Sequence, residues 1–118
     1  MTNNLNLAVY GTLRTGKGRK GYIEGYKLVH PIGAFFPAII EGNGKVVVEV
    51  TNINYKELQN IDRYEGVYHG LYKREIKEIT LNKNNKKVKA YIYVGKNIGE
   101  YNELETGDWN IEKKKLNL

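Results

Sequence analysis

Hydrophobic periodicity in this chain changes once. On either side of Asn54–Gly66 the apolar residues fall in short β-branched or alternating runs, the mark of strands. Only NYKELQNIDRYEG has helical spacing: Asn54 is placed to cap, Glu57 stands where a capping box needs it, Leu58 and Ile61 supply an apolar face, and Gly66 offers a left-handed stop. The predicted strands are Leu5–Tyr10, an irregular Tyr26–Phe35, a short Ala38–Glu41 after Pro37, and Lys45–Ile53 entered through a Gly42-Asn43-Gly44 turn. Two longer ones follow, Leu71–Leu81 and Lys86–Gly95, joined at Asn84-Asn85. One dominant helix among so many strands makes an α+β domain, and closing the sheet into a barrel is the economical way to remove its edges. At 118 residues a single domain, 1–118, is expected.

Composition narrows the chemistry. No apolar run approaches the ~18 residues of a membrane span, and MTNNLNLAVY lacks the pattern of a secretory leader, so a cytoplasmic protein away from membranes is expected. With no cysteine, disulfides, thiolate zinc sites and a cysteine nucleophile are excluded, and two histidines, His30 and His69, are too few for a metal cluster. The formal charge of +6 favours anionic partners. Of three basic groups, Lys83–Lys89 flanks a hairpin turn and Lys113–Lys115 lies in what reads as a solvated tail. The third, Arg14, Lys17, Arg19 and Lys20, is interleaved with glycines, which let backbone amides face an anion.

That third group lies in LAVYGTLRTGKGRKG, which matches a nucleotide P-loop from Gly11 to Lys17 and then fails, because Gly18 stands where a magnesium-binding hydroxyl is required. A different anion is implied. The second chemical candidate is the carboxylate pair of IDRYEG. Glu65 at the exit of the helix, beside its negative end and among aromatic residues, should have its ionised form disfavoured and so exchange protons near neutrality. The alternative is a pair of surface acids, with Asp62 bound to Arg63 or Lys73 and Glu65 solvated.

Six segments in order, YGTLR (Tyr10–Arg14), FPAII (Phe36–Ile40), LQNIDRYEG (Leu58–Gly66), YKREI (Tyr72–Ile76), AYIYV (Ala90–Val94) and GDW (Gly107–Trp109), resemble the γ-glutamylcyclotransferase-like family, especially its γ-glutamylamine cyclotransferase and AIG2-like branch. The resemblance implies a small mixed β-barrel with flanking helices and a cavity at one end. It also implies an activity: the α-amine of a γ-glutamyl amide displaces the γ-amide, giving 5-oxoproline and a free amine. Glu65 would be the general acid/base. The main-chain amides of Gly11, Thr12 and Leu13 would hold the substrate α-carboxylate, with Tyr10 shaping the wall. Tyr72 and Tyr93 are candidate pocket residues, and Tyr91 a weaker one. No metal or organic cofactor is implied.

Other expectations attach to this frame. Arg14 is taken as substrate-binding and, with Lys17, Arg19 and Lys20, placed at the cavity mouth, where it would favour a multiply anionic ligand. Val48 replaces the glycine commonly found before Glu49 in the family and is expected to narrow the pocket floor. Arg74 is expected to pair with a barrel acid, Trp109 to close the barrel end and Asp108 to be its turn partner. Two rival functions stand beside catalysis. One is a binding module of the same fold that sequesters an anionic small molecule or nucleotide. The other, disfavoured, is a nucleic-acid binder, suggested by the tyrosines and by an RNP1-like Lys20-Gly21-Tyr22 that lacks the motif's central aromatic residue.

Overall fold

The computed structural model describes residues 4–118. Its elements are β1 (Leu5–Val9), β2 (Arg19–Pro31), β3 (Ala38–Ile53), α1 (Tyr55–Tyr64), a short 3-10 turn (Val67–His69), β4 (Tyr72–Leu81), β5 (Lys87–Gly95), β6 (Tyr101–Glu103) and α2 (Trp109–Lys115). The sheet runs β3-β1-β5-β4-β2, and β2 pairs with β3 again, closing a five-stranded barrel; β6 attaches to the far end of β2. β1 and β5 are parallel, aligned at Leu7 and Tyr91, and the other pairings are antiparallel, so the barrel is mixed.

Strand alternation divides the apolar residues between two cores. Along β5, Ala90, Ile92 and Val94 point into the barrel with Ile23, Leu28, Ile39, Val46, Val48, Val50 and Ile79 from the other strands. Tyr93, with Leu7 and Val9 of β1, faces the opposite way and packs with Leu58 of α1. The single helical window is thus the cover for one outer face of the barrel. Both halves of its capping box form: Asn54 accepts from the Glu57 amide at 2.8 Å, and Glu57 accepts from the Asn54 amide at 3.1 Å. Among the described residues no helix is long and apolar enough to cross a membrane.

Three expectations about the elements need correction. β2 begins at Arg19 rather than Tyr26, so the end of the glycine-rich basic stretch, from Arg19 on, is strand. Residues 38–53 form one strand, not two. Glu24 pairs with Lys45 and Tyr26 with Glu41, leaving Gly42, Asn43 and Gly44 opposite the lone Gly25, whose φ is 83°. What reads as a turn is an irregularity in the ladder, which lets a long hairpin bend round the barrel. Finally, the C-terminal lysines face solvent largely as expected but form the last turn of α2 rather than a tail, where the negative end of the helix favours cations. Asp108 caps α2 by accepting from the Asn110 amide at 2.9 Å, and Trp109 is buried in the barrel core.

Candidate active site

A cavity of about 300 Å³ opens at one end of the barrel. Its wall is assembled where elements begin or stop: Tyr10–Leu13 after β1, Phe35–Pro37 before β3, Tyr64 and Glu65 at the end of α1, Leu71 and Tyr72 at the start of β4, and Tyr93 near the end of β5, with Ala8 and Val9 behind. Tyr10, Gly11, Thr12, Leu13, Glu65, Tyr72 and Tyr93, all singled out in the sequence, meet here. Phe35, Phe36, Tyr64 and Leu71 were missed as wall residues; the only local signal was the aromatic pair before Pro37 and the tyrosine beside Glu65.

Glu65 is the C-cap of α1, its amide bonded to the Ile61 carbonyl at 2.8 Å. Gly66 then turns left-handed at φ 68°, and Leu71 returns to bond the Gly66 carbonyl through its amide at 3.1 Å. This reversal leaves the Glu65 side chain at the cavity wall. Among the described residues nothing pairs with its carboxylate, and burial alone raises its pKa from 4.5 to about 7. Asp62, one turn earlier, is buried but fully engaged: it accepts from the Tyr93 hydroxyl at 2.7 Å and from Arg74 at 2.5 Å. Neither Arg63 nor Lys73 is its partner, and Arg74 pairs with this helix acid rather than with a barrel acid. The Arg74 guanidinium also lies 5.1 Å from the Tyr91 ring centre, and Tyr91 stays out of the cavity wall.

The pocket tyrosines are held neutral and in place. The Tyr10 hydroxyl donates to the Tyr93 carbonyl at 2.6 Å and the Tyr72 hydroxyl to the Pro37 carbonyl at 2.6 Å. Burial, then the nearby Glu65 charge, raises the Tyr72 pKa; for Tyr93, burial is followed by the hydrogen bond to Asp62. Burial also leads for Tyr10, followed by the charges of Tyr72 and Glu65.

Between them lies the turn of Gly11–Arg14, closed by the Arg14 amide on the Gly11 carbonyl at 3.0 Å. Among the described residues, none accepts a hydrogen bond from the Gly11, Thr12 or Leu13 amides. Three successive free donors suit an anionic acceptor. A side chain on Gly11 would come within 3.0 Å of the Pro37 ring, so glycine lets this turn lie against the Phe36-Pro37 wall.

The basic stretch does not reach the cavity. The Arg14 side chain is only 6% exposed, bonded to Glu49 at 3.2 Å and to Asp108 at 2.8 Å, so it ties the turn to β3 and to the start of α2 instead of contacting a ligand. Glu49 also accepts from the amides of Thr15 and Gly16, at 3.2 and 2.9 Å. Burial pushes the Glu49 carboxyl up, but the Arg14 hydrogen bond and the Gly16 and Gly18 amides outweigh it and hold the group below the usual carboxylate range. The anion held by Gly16 and Gly18 is therefore the protein's own Glu49. Lys17, Arg19 and Lys20 are exposed, none lines the cavity, and Arg19 bonds Asn6 at 2.9 Å. Val48 points into the barrel core and narrows no pocket floor.

Comparison with known proteins places this architecture. Residues 7–111 match the family model described as gamma-glutamyl cyclotransferase, AIG2-like. A protein of Arabidopsis thaliana solved in solution shares the fold at a TM-score of 0.73 with 24% identity, over 96% of this chain and 85% of its own. An AIG2-like protein of Mus musculus aligns at 0.68 with 20% identity, over 78% and 77% of the two chains. An uncharacterised protein of Pyrococcus horikoshii aligns at 0.66 with 24% identity over 96% of each. No curated protein is matched. The match across nearly the whole chain, together with the closed mixed barrel and two helices, shows that the chain belongs to the γ-glutamyl cyclotransferase, AIG2-like family.

Proposed function

We propose that this protein is a γ-glutamyl cyclotransferase that converts a γ-glutamyl amide into 5-oxoproline and a free amine. The observation that carries the reading is one cavity holding both a half-buried, unpaired carboxylate with a pKa of about 7 and a turn of three free amides. The amides of Gly11, Thr12 and Leu13 bind the substrate α-carboxylate, each charge-assisted bond contributing on the order of 1.5–3 kcal/mol. Tyr10, Tyr72 and Tyr93 fix the wall so that the substrate curls and its α-nitrogen meets the γ-carbonyl carbon.

Glu65, ionised in about half the molecules near pH 7, takes a proton from the α-ammonium. The α-nitrogen then forms the ring bond to the γ-carbon. As the bond from that carbon to the leaving nitrogen breaks, Glu65 gives its proton to the amine and relays the second proton of the ring nitrogen to it as well, so that 5-oxoproline keeps one ring N–H, the amine leaves as its ammonium ion and Glu65 is again a carboxylate. Atoms and charge balance with neither water nor a protein nucleophile. The test is to incubate the protein with a panel of γ-glutamyl amides and quantify 5-oxoproline by mass spectrometry. Glu65→Gln is expected to lower kcat by about 10²–10⁴-fold, the usual weight of a general acid/base. Undiminished turnover in that variant would sink the proposal.

A further inference from the structure

Resting on the cyclotransferase reading, we infer that the leaving amine is apolar and uncharged, and that Phe35 and Tyr64 select it. Two independent observations lead there. The first is electrostatic. Among the described residues no lysine, arginine or histidine lines the cavity, and its one ionisable acid is Glu65. The free amides of Gly11, Thr12 and Leu13 match a single carboxylate, the one on the γ-glutamyl moiety. The hydroxyls of Tyr10, Tyr72 and Tyr93 are already given to the Tyr93 carbonyl, the Pro37 carbonyl and Asp62. A second carboxylate, as on an amino-acid leaving group, would enter a cavity that offers it no cation and sets it beside the Glu65 charge.

The second observation is the rim. Phe35 and Tyr64 both border the cavity, yet are 76% and 70% exposed, so their ring faces are left uncovered by the chain itself. Tyr64 directly precedes Glu65, the group that hands the proton to the departing nitrogen. Both residues line the same cavity, which puts the Tyr64 ring among the surfaces open to the substituent on that nitrogen. On the other side Phe35 continues a wall in which the Phe36 and Tyr72 rings are 6.3 Å apart. An alkyl or aryl amine covers these faces and removes apolar surface from water; a charged one must shed its hydration to do so.

The experiment compares γ-glutamyl-isobutylamide and γ-glutamyl-benzylamide with γ-glutamyl-alanine and γ-glutamyl-glutamate, measuring kcat/KM from 5-oxoproline release. The apolar amides are expected to be favoured by about tenfold or more, the range available to an apolar pocket. Phe35→Ala and Tyr64→Ala, at exposed positions where the fold tolerates truncation, should bring that ratio toward one. Equal or better turnover of the two amino-acid conjugates overturns the inference and leaves the reaction standing. Absence of 5-oxoproline from all four overturns the reaction. Calorimetric binding of the same compounds to Glu65→Gln then decides the inference separately: tighter binding of the apolar pair upholds it, and indifference or no binding overturns it.

Discussion

Asp62 and Glu65 lie one helical turn apart, the first buried and the second half-buried, and only Asp62 has partners. Burying a carboxylate without a counter-charge costs free energy, and the folded state recovers part of it by keeping the proton. For Glu65 the folded pKa of about 7 exceeds the ordinary 4.5, so the native state binds this proton more tightly than the unfolded chain does. This group's contribution to stability is therefore greatest below pH 4.5, declines as pH rises to about 7 and is flat above. Glu65→Gln should accordingly gain stability over the parent at pH 8, by on the order of 2–3 kcal/mol, with the gain vanishing near pH 4. Urea midpoints at the two pH values check this, and the parent's kcat/KM should climb with pH through about 7. The motif in the sequence pointed to Glu65, but the residues of IDRYEG could not say which acid is free. The partners that occupy Asp62 lie 12 and 31 positions away, at Arg74 and Tyr93. Arg14 misled for the same reason: beside three glycines it reads as a ligand for an anion, and its acids, Glu49 and Asp108, are 35 and 94 positions distant.

Elements whose signals are local were legible, and those settled by neighbours were not. α1 declares itself through Asn54, Glu57 and Gly66, all inside it or within two residues of its ends. α2 has seven residues and ends in three lysines; what holds it is burial of Trp109 and Glu112, with Glu112 accepting from the Thr106 amide at 2.9 Å. The glycines of the basic stretch likewise take their meaning from what lies across the sheet. The β2–β4 seam pairs only Gly21 with Leu81 and Tyr22 with Thr80, and a side chain on Gly21 would come within 2.4 Å of the Thr80 carbonyl oxygen. In Lys20-Gly21-Tyr22 the glycine thus permits barrel closure. Gly21→Ala is expected to destabilise by about 2 kcal/mol or more, since backbone must move to admit the methyl, whereas the exposed Lys20→Ala should stay within about 0.5 kcal/mol. Chemical denaturation of the two variants side by side makes the comparison.

For the molecule as a whole, closure of the sheet is expected from the number of edges and from the resemblance, and it is found, but no single segment encodes it. The strands can be read from alternation, but their order, β3-β1-β5-β4-β2, arises from pairings between distant segments. The parallel alignment of β1 with β5 is the least local of these. A barrel dominated by such contacts should refold in milliseconds to seconds, measurable by stopped-flow fluorescence of Trp109, with no element acting as a fast autonomous unit. A chain ended at Asn85 should show no cooperative urea transition, because β1 and β4 would then flank a gap. There is also a consequence for biosynthesis. The ribosome delivers β1 before one of its two neighbours, β5, which emerges only after β2, β3, α1 and β4. Throughout the interval between β1 and β5 the nascent chain carries a strand edge and apolar faces with nothing to cover them, so the cavity is completed only once β5 has emerged, and this interval is where the protein most needs protection from aggregation.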